Sequence, residues 1–291
     1  MRKGTYVILI LLIAVCVATL FGYKVLDDLR MDNRAPEIIL EDRIPEISVL
    51  DPREALLQGV AAKDKEDGDV TDLMVVEHVG LLGNDGRIQV SYAAFDRSGN
   101  VAKAKREARY TDYESPRLTL ERALVFPYGY NFDVLSIVGA TDLLDGDIQH
   151  RVRATLLDEE AVTELGIHDV RFQVSNSLGD TVSYVLPVEV HDAKLYDAEL
   201  TLSEYIVYLS AEDTFEAKSY LESFVFRGAT TDLSRGLPRG YSLKTEGKVL
   251  AGTPGVYPVE LRVTYTIENE KDRTMDQHFV GYSRLIVIVE E

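Results

Sequence analysis

The sequence predicts an all-β protein in which three antiparallel β-sandwiches follow one hydrophobic N-terminal helix. Three observations lead to this prediction. A charge-free run opens the chain, segments of the remainder recur at an offset of 80 residues, and those segments alternate apolar and polar side chains. The chain has 291 residues, of which 46% are hydrophobic, which is enough to bury several small cores.

The first element is the uncharged N-terminal segment. No charged residue occurs between Gly4 and Tyr23. As a helix rising about 1.5 Å per residue, this segment is long enough to cross a hydrocarbon core of about 30 Å. Because Arg2 and Lys3 precede it and the charges that follow it cancel, the positive-inside rule places the N-terminus in the cytoplasm. The sequence therefore predicts a single-pass cell-membrane protein whose C-terminal domains are extracellular.

Two other interpretations of this segment remain open. A secretory signal peptide would be cleaved after the small residues Cys16 and Ala18, although the apolar run is longer than a usual signal core. In a lipoprotein, Cys16 would carry the acyl chain, but Val15 stands where a small residue is expected. Because Cys16 is the only cysteine, the domains after the helix contain no disulfide and no cysteine metal site.

The rest of the chain contains an internal repeat. "APEIILED" from Ala35 matches "SPRLTLER" from Ser115, and the glycine-led segments that begin at Gly86 and Gly166 match at the same offset. A third and more divergent copy contains "GVYPVELRV" from Gly255. Apolar residues occur at every second position of the glycine-led segments, which is typical of strands with one buried face. Short strands separated by turns in units of this length predict tandem β-sandwiches.

The repeat divides the chain into four regions. The first, 1–31, comprises a cytoplasmic tip and a transmembrane signal-anchor. Immunoglobulin-like domains are then predicted at 32–113, at 114–193 and, in divergent form, at 194–291.

Two acidic clusters occupy matching places in the first two copies. They read "KDKEDGDVTD" at 63–72 and "TDLLDGDIQH" at 141–150. Together with "FDRSGNVA" at 95–102 and the glycine-led strand, they make copies one and two similar to the bacterial immunoglobulin-like repeats related to hyalin-repeat domains. Such repeats also occur in pesticidal crystal proteins. The resemblance implies β-sandwich modules that act as spacers or adhesion domains on a membrane-anchored surface protein.

The acidic clusters are candidate calcium sites. Each has aspartates at i, i+3 and i+5 around a glycine that lets the backbone turn sharply, and calcium takes six to eight oxygen ligands. The alternative, which the sequence favours, is turn chemistry in a solvated acidic loop. The candidate ligands are Asp64, Asp67, Asp69 and Asp96 in the first copy, and Asp142, Asp145, Asp147 and Asn176 in the second.

Composition narrows the functional classes. A formal charge of −18 repels phosphate backbones, so we expect no nucleic-acid partner. The sequence shows no combination of nucleophile, base and metal ligands, so we expect no enzymatic activity. We expect a surface protein whose tandem domains act as a stalk and bind a protein or glycan ligand. The alternative is an accessory scaffold for cell-envelope or polysaccharide assembly.

Overall fold

A computed structural model describes residues 2–30, 32–83, 86–130, 133–157, 164–269, 274 and 276–290. In this part of the chain one α-helix, α1 (Arg2–Arg30), is followed by strands and short 3-10 helices, which confirms the predicted all-β class for the domains. Among residues with described side chains, no helix is both long and apolar enough to cross a membrane. The transmembrane role of this segment stays a prediction.

The first sandwich consists of two sheets. Its strands are β1 (Glu37–Leu40), β2 (Glu46–Ile47), β3 (Val60–Asp64), β4 (Gly68–Asp69), β5 (Met74–Leu82), β6 (Arg87–Phe95) and β7 (Val101–Tyr110). One sheet has the order β1-β3-β4 and the other β2-β7-β6-β5. The side chains of Ile88, Val90 and Tyr92 are buried, and the intervening ones point outward, as the period-two pattern predicts.

The second sandwich repeats this arrangement. Its strands are β8 (Arg117–Leu120), β9 (Val125–Pro127), β10 (Val138–Asp142), β11 (Gly146–Asp147), β12 (Arg153–Leu156), β13 (Gly166–Ser175) and β14 (Thr181–His191). The sheet orders are β11-β10-β8 and β12-β13-β14-β9. Leu118 and Val138 from one sheet and Phe172 and Leu186 from the other share one core, in which all four are buried.

The third copy differs in its sheet. Its strands are β15 (Ala198–Leu202), β16 (Ile206–Leu209), β17 (Leu221–Phe226), β18 (Ala229–Asp232), β19 (Tyr241–Glu246), β20 (Gly255–Ile267) and β21 (Gln277–Val289). They form one seven-stranded sheet in the order β18-β17-β15-β21-β20-β19, and β16 also pairs with β21. Both of the first two strands of this copy pair with the long strand β21. Strand β15 pairs with β21 at Gly281 and Tyr282, and β16 pairs with its end.

Short 3-10 helices connect several strands. They are η1 (Arg53–Leu57), η2 (Thr71–Leu73), η3 (Val134–Ser136), η4 (Gln149–Arg151) and η5 (Ala217–Tyr220). The helices η2 and η4 directly follow the two acidic clusters, so the clusters connect equivalent elements in the two sandwiches.

One pairing recurs in all three copies. A short strand near the beginning of each copy lies parallel to its last strand: β2 along β7, β9 along β14, and β16 along β21. The overlap involves two residue pairs in the first copy, three in the second and four in the third. All other strand pairs within each sandwich are antiparallel, apart from the β15–β21 pair of the third copy.

The chain forms two compact units, Met1–Asp112 and Tyr113–Glu291. The second and third copies share one unit because β21 is buried on both faces. Leu285 and Val287 pack in the core of the third copy, whereas Ile286 and Ile288 pack in the core of the second. A strand buried on both faces reads as an uninterrupted apolar run.

We expect Ile286→Ala to lower the free energy of unfolding of the second unit by about 2–5 kcal/mol, because Ile286 is 1% exposed and its loss leaves a cavity. Ile167→Ala, at a 57% exposed position of the same unit, should change it by less than about 0.5 kcal/mol. Urea unfolding of the full chain measures both. Equal effects of the two substitutions would contradict the two-sided burial of β21.

Candidate metal centre

Each acidic cluster forms a tight turn between two strands. In the first, Asp64 Oδ1 accepts hydrogen bonds from the backbone N–H groups of Glu66 and Asp67 at 2.7 and 2.9 Å. These hydrogen bonds lower the pKa of the Asp64 carboxyl. Gly68 then takes φ +76°, a conformation that an L residue rarely adopts.

The second cluster repeats this geometry. Asp142 Oδ1 accepts from Leu144 N at 2.9 Å and from Asp145 N at 3.0 Å, and Gly146 has φ +70°. Turn chemistry therefore accounts for the repeated Asp-Gly-Asp spacing in both copies.

The middle aspartate of each cluster connects its loop to the turn between the last two strands. Asp67 Oδ2 accepts from Arg97 N at 2.8 Å. Asp145 accepts from Ser177 N at 2.6 Å and Ser177 Oγ at 2.7 Å, and pairs with Arg151 at 2.5 Å. Burial raises the pKa of Asp145, but the hydrogen bonds from Ser177 and Arg151 outweigh burial, so its pKa is lowered. Both side chains fasten one loop to another.

The last aspartate of each cluster begins the following 3-10 helix. Asp69 Oδ1 accepts from Thr71 N and Asp147 Oδ1 accepts from Gln149 N, both at 2.9 Å. Both aspartates are exposed. Side-chain acceptors two residues before a free backbone N–H are ordinary capping groups.

Three carboxylates converge in the first sandwich. Asp32, Asp64 and Asp96 each place an oxygen within 4.8 Å of the other two. Asp64 and Asp96 are 8% and 5% exposed. Asp32 Oδ2 is buried and has no hydrogen-bond partner among the described residues. The three residues come from the segment before β1, the end of β3 and the turn after β6, so the fold and not the local sequence brings them together.

Asn100 completes the surroundings of this cluster. Its backbone N–H donates to Asp96 Oδ1 at 2.7 Å, and its side-chain amide donates to Asp96 Oδ2 at 2.7 Å and to the Asp32 carbonyl at 2.8 Å. The amide thus holds two of the three acidic residues in place. It supplies no positive charge to balance them.

The matching place in the second sandwich is filled by neutral groups. Asn176 stands where the first copy has Asp96, and its amide donates to Asp142 Oδ2 at 3.1 Å and to the Tyr113 hydroxyl at 2.7 Å. The Tyr113 hydroxyl in turn donates to Asp180 at 2.6 Å. Burial, followed by the hydrogen bond to Asp180, raises the pKa of Tyr113, so the phenol stays protonated. These polar groups satisfy one another.

The sequence prediction missed Asp32 for a specific reason. The repeat aligns Asp32 with Asp112, but Asp112 accepts hydrogen bonds from Ser48 Oγ and Val49 N at 2.5 and 2.8 Å. Tyr113, one residue later, reaches the second cluster instead. In the sequence, Asp32 is marked only as an acidic residue just before the first strand. The repeat alignment does not distinguish it from other acidic residues.

The structure thus brings Asp64 and Asp96 together with Asp32, and the other predicted ligands have different partners. Asp67, Asp69, Asp145 and Asp147 bond to loops and caps, and Asp142 and Asn176 bond to each other. What remains is a negatively charged cluster of three carboxylates, the donor type that hard cations such as calcium prefer.

Comparisons with known proteins give little guidance. No family model matches the chain. An uncharacterized 81.3 kDa protein of Acholeplasma phage L2 is 32% identical over 91 residues, which are 31% of this chain and 12% of that protein. The matched segment therefore spans about an eighth of this relative's length.

Similar solved structures include cadherins and a carbohydrate-binding region. Drosophila N-cadherin EC1-3 is 12% identical with a TM-score of 0.30, over 89% of this chain and 90% of that one. Mouse cadherin-23 EC22-24 is 12% identical with a TM-score of 0.21, over 89% and 99%. The CBM51-2 and INT domains of Clostridium perfringens ZmpB are 14% identical with a TM-score of 0.22, over 87% and 44%. Because these TM-scores are low, no property of these structures is transferred to this chain.

We expect Asp145→Asn to destabilise the second unit by about 1–3 kcal/mol at neutral pH, because it removes a charge bonded to Ser177 and Arg151. The folded-state pKa of Asp145 lies below its unfolded value. Its contribution is therefore complete above the unfolded pKa and is lost as the pH falls through the folded pKa. Urea midpoints of both proteins at neutral pH and at a series of pH values well below the unfolded pKa of about 4 measure this, with the exposed Asp147→Asn as control. A difference that persists unchanged in acid would contradict the role of the carboxylate.

Proposed function

We propose that this protein is a non-enzymatic surface protein whose tandem β-sandwiches form a stalk and a ligand-binding module, and that calcium stiffens its first sandwich. The observation that carries the proposal is the convergence of Asp32, Asp64 and Asp96 within 4.8 Å. Carboxylates at this spacing repel one another, and a divalent cation between them would remove the repulsion.

The spacing of the oxygens supports calcium. Ligands on opposite sides of a calcium ion, each about 2.3–2.6 Å away, are at most about 5 Å apart. Magnesium requires near-octahedral geometry at about 2.0–2.1 Å, whereas calcium accepts irregular arrangements of its oxygen ligands. Water molecules would complete the calcium coordination.

Calcium would crosslink three segments that are distant in sequence. Asp32 precedes β1, Asp64 ends β3, and Asp96 opens the turn before β7. A bound ion therefore holds the beginning of the sandwich against two of its loops. In a chain of tandem domains this location suits a stalk, because the segment before the first strand connects the sandwich to helix α1.

Helix α1 supports attachment to a membrane. Its described side chains from Ile10 to Tyr23 are uncharged, and most of its large apolar side chains are more than half exposed, including Ile10 at 66% and Phe21 at 71%. Exposed apolar surface of this extent requires a lipid or protein environment. Attachment with the sandwiches on the outer side of the membrane is the arrangement we propose.

We expect 10 mM calcium to raise the melting temperature of the first unit. With a dissociation constant of about 10⁻⁴ M, typical of extracellular sites, the ion would add roughly 2.7 kcal/mol, which corresponds to several degrees for a domain of this size. Thermal unfolding in EDTA, calcium and magnesium measures the effect. Asp96→Asn should abolish it, and because asparagine is the natural residue at the matching position 176, this substitution should leave the fold intact.

Asp142→Asn is the matched control. It makes the same chemical change in the second sandwich, where the amide of Asn176 and not a second carboxylate contacts Asp142, and it should leave the calcium-dependent shift unchanged. Equal melting temperatures in calcium and EDTA, or loss of the shift in Asp142→Asn but not in Asp96→Asn, would reject the calcium site.

We expect the full chain to remain with membranes after alkaline carbonate washing. The combined substitutions Leu12→Lys and Val17→Lys should release it, because they place charges on the exposed surface of α1. Leu81→Lys, at a 74% exposed position of the first sandwich, is the control and should not. Release of the unmodified chain by the wash would show that α1 is not an anchor.

A further inference from the structure

A cleft of about 620 Å³ lies where the second and third sandwiches meet. Arg122 and Pro127 line it from the second sandwich, and Glu199, Arg227 and Tyr282 from the third. All of them belong to the second compact unit, so the cleft is a fixed feature of that unit. Its volume falls in the range of small-molecule sites.

The two arginines of the cleft are held by aromatic rings and not by carboxylates. The Arg122 guanidinium lies 5.1 Å from the centre of the Phe126 ring. The Arg227 guanidinium lies 4.9 and 5.5 Å from the rings of Phe226 and Phe279. Neither forms an ion pair with a described residue. A guanidinium that lies beside an aromatic ring and forms no ion pair keeps N–H groups available as donors.

Arg227 also has an unfavourable backbone conformation. Its φ is +50°, and it is the only non-glycine residue with positive φ in the described part of the chain. Gly228, which follows it, has φ +81°. Glycine would fit position 227 at lower conformational cost. Arg227 and Gly228 are the two central residues of the β17–β18 hairpin, in which Phe226 pairs with Ala229, and a type I′ turn requires positive φ at both positions. This turn brings Arg227 to the cleft.

The charges of the cleft indicate what kind of molecule fits it. Asp197 and Glu199 line it together with the two arginines, so the formal charges balance and a charged ligand gains nothing overall. The rings of Tyr196 and Tyr282, stacked with their centres 4.6 Å apart, add an apolar wall. Sugar hydroxyls donate to carboxylates and accept from guanidinium groups at once, and sugar C–H surfaces pack on aromatic rings. The net charge of −18 further disfavours polyanions.

We propose that this cleft binds a neutral oligosaccharide, which deepens and rests on the ligand-binding part of the proposed function. The arginines and carboxylates bond the hydroxyl groups of the sugar, and Arg227 is the residue on which affinity depends most. The site is separate from the carboxylate cluster of the first sandwich and needs no metal.

Calorimetric titration of the full chain with neutral tetrasaccharides of glucose, galactose and N-acetylglucosamine tests the proposal, with tetragalacturonate as the anionic probe. We expect at least one neutral probe to bind and tetragalacturonate to bind at least tenfold more weakly. Arg227→Gly should weaken binding tenfold or more while the melting temperature stays equal or rises, because glycine relieves the strained φ. Arg171→Ala, at an exposed position of β13, should bind as the unmodified chain does.

Three outcomes would overturn the proposal: no binding of any neutral probe, stronger binding of tetragalacturonate, or unchanged affinity in Arg227→Gly. The titrations are repeated with Asp96→Asn. If sugar binding persists there while the calcium-dependent shift is lost, both proposals stand. If the unmodified chain shows the calcium-dependent shift but binds no sugar, the cleft proposal has failed. If it binds sugar but shows no shift, the calcium proposal has failed.

Discussion

The second unit depends on a single strand that is buried along most of its length. In β21 the residues from Gly281 to Val289 are all buried, and successive side chains enter different cores, as Leu285 and Ile286 illustrate. Neither core is complete without this strand. Separating the second copy from the third at β21 would expose apolar side chains of both cores to water. The unfolding of the two copies is therefore coupled.

Apolar packing alone would allow the second copy to slide along β21, and one buried cation opposes this. Arg284 is 2% exposed. Its Nη2 donates to Glu189 of the second copy, and to Glu260 at 3.2 Å and the Tyr282 hydroxyl at 3.0 Å in the third. A buried ion pair adds little net stability, but a displaced one is costly because its charges are left unpaired. The network thus selects one register between the two copies.

The sequence predicted what depends on local pattern. Alternating residues such as Ile88 and Val90 identified strands because side-chain period is a local property, and the Asp-Gly turns followed from backbone preferences. The convergence of Asp32 on Asp64 could not be predicted, since it depends on where the chain enters the first sandwich. Likewise, the repeat alignment could not show that Tyr113 and not Asp112 reaches the second cluster. The division into three domains stays a prediction, because the run that ends in β21 serves two cores at once.

The parallel pairing that recurs in each copy determines how the chain responds to a pulling force. In each sandwich the paired strands lie near the two chain ends, so tension draws them in opposite directions along their common axis. Their hydrogen bonds are then loaded together in shear, and none can open ahead of the others as in a zipper. The resistance should grow with overlap, from two residue pairs at Glu46–Ile47 to four at Ile206–Leu209. The first sandwich has the shortest clamp and is also the one with the carboxylate cluster, so an ion bound there would reinforce the mechanically weakest module.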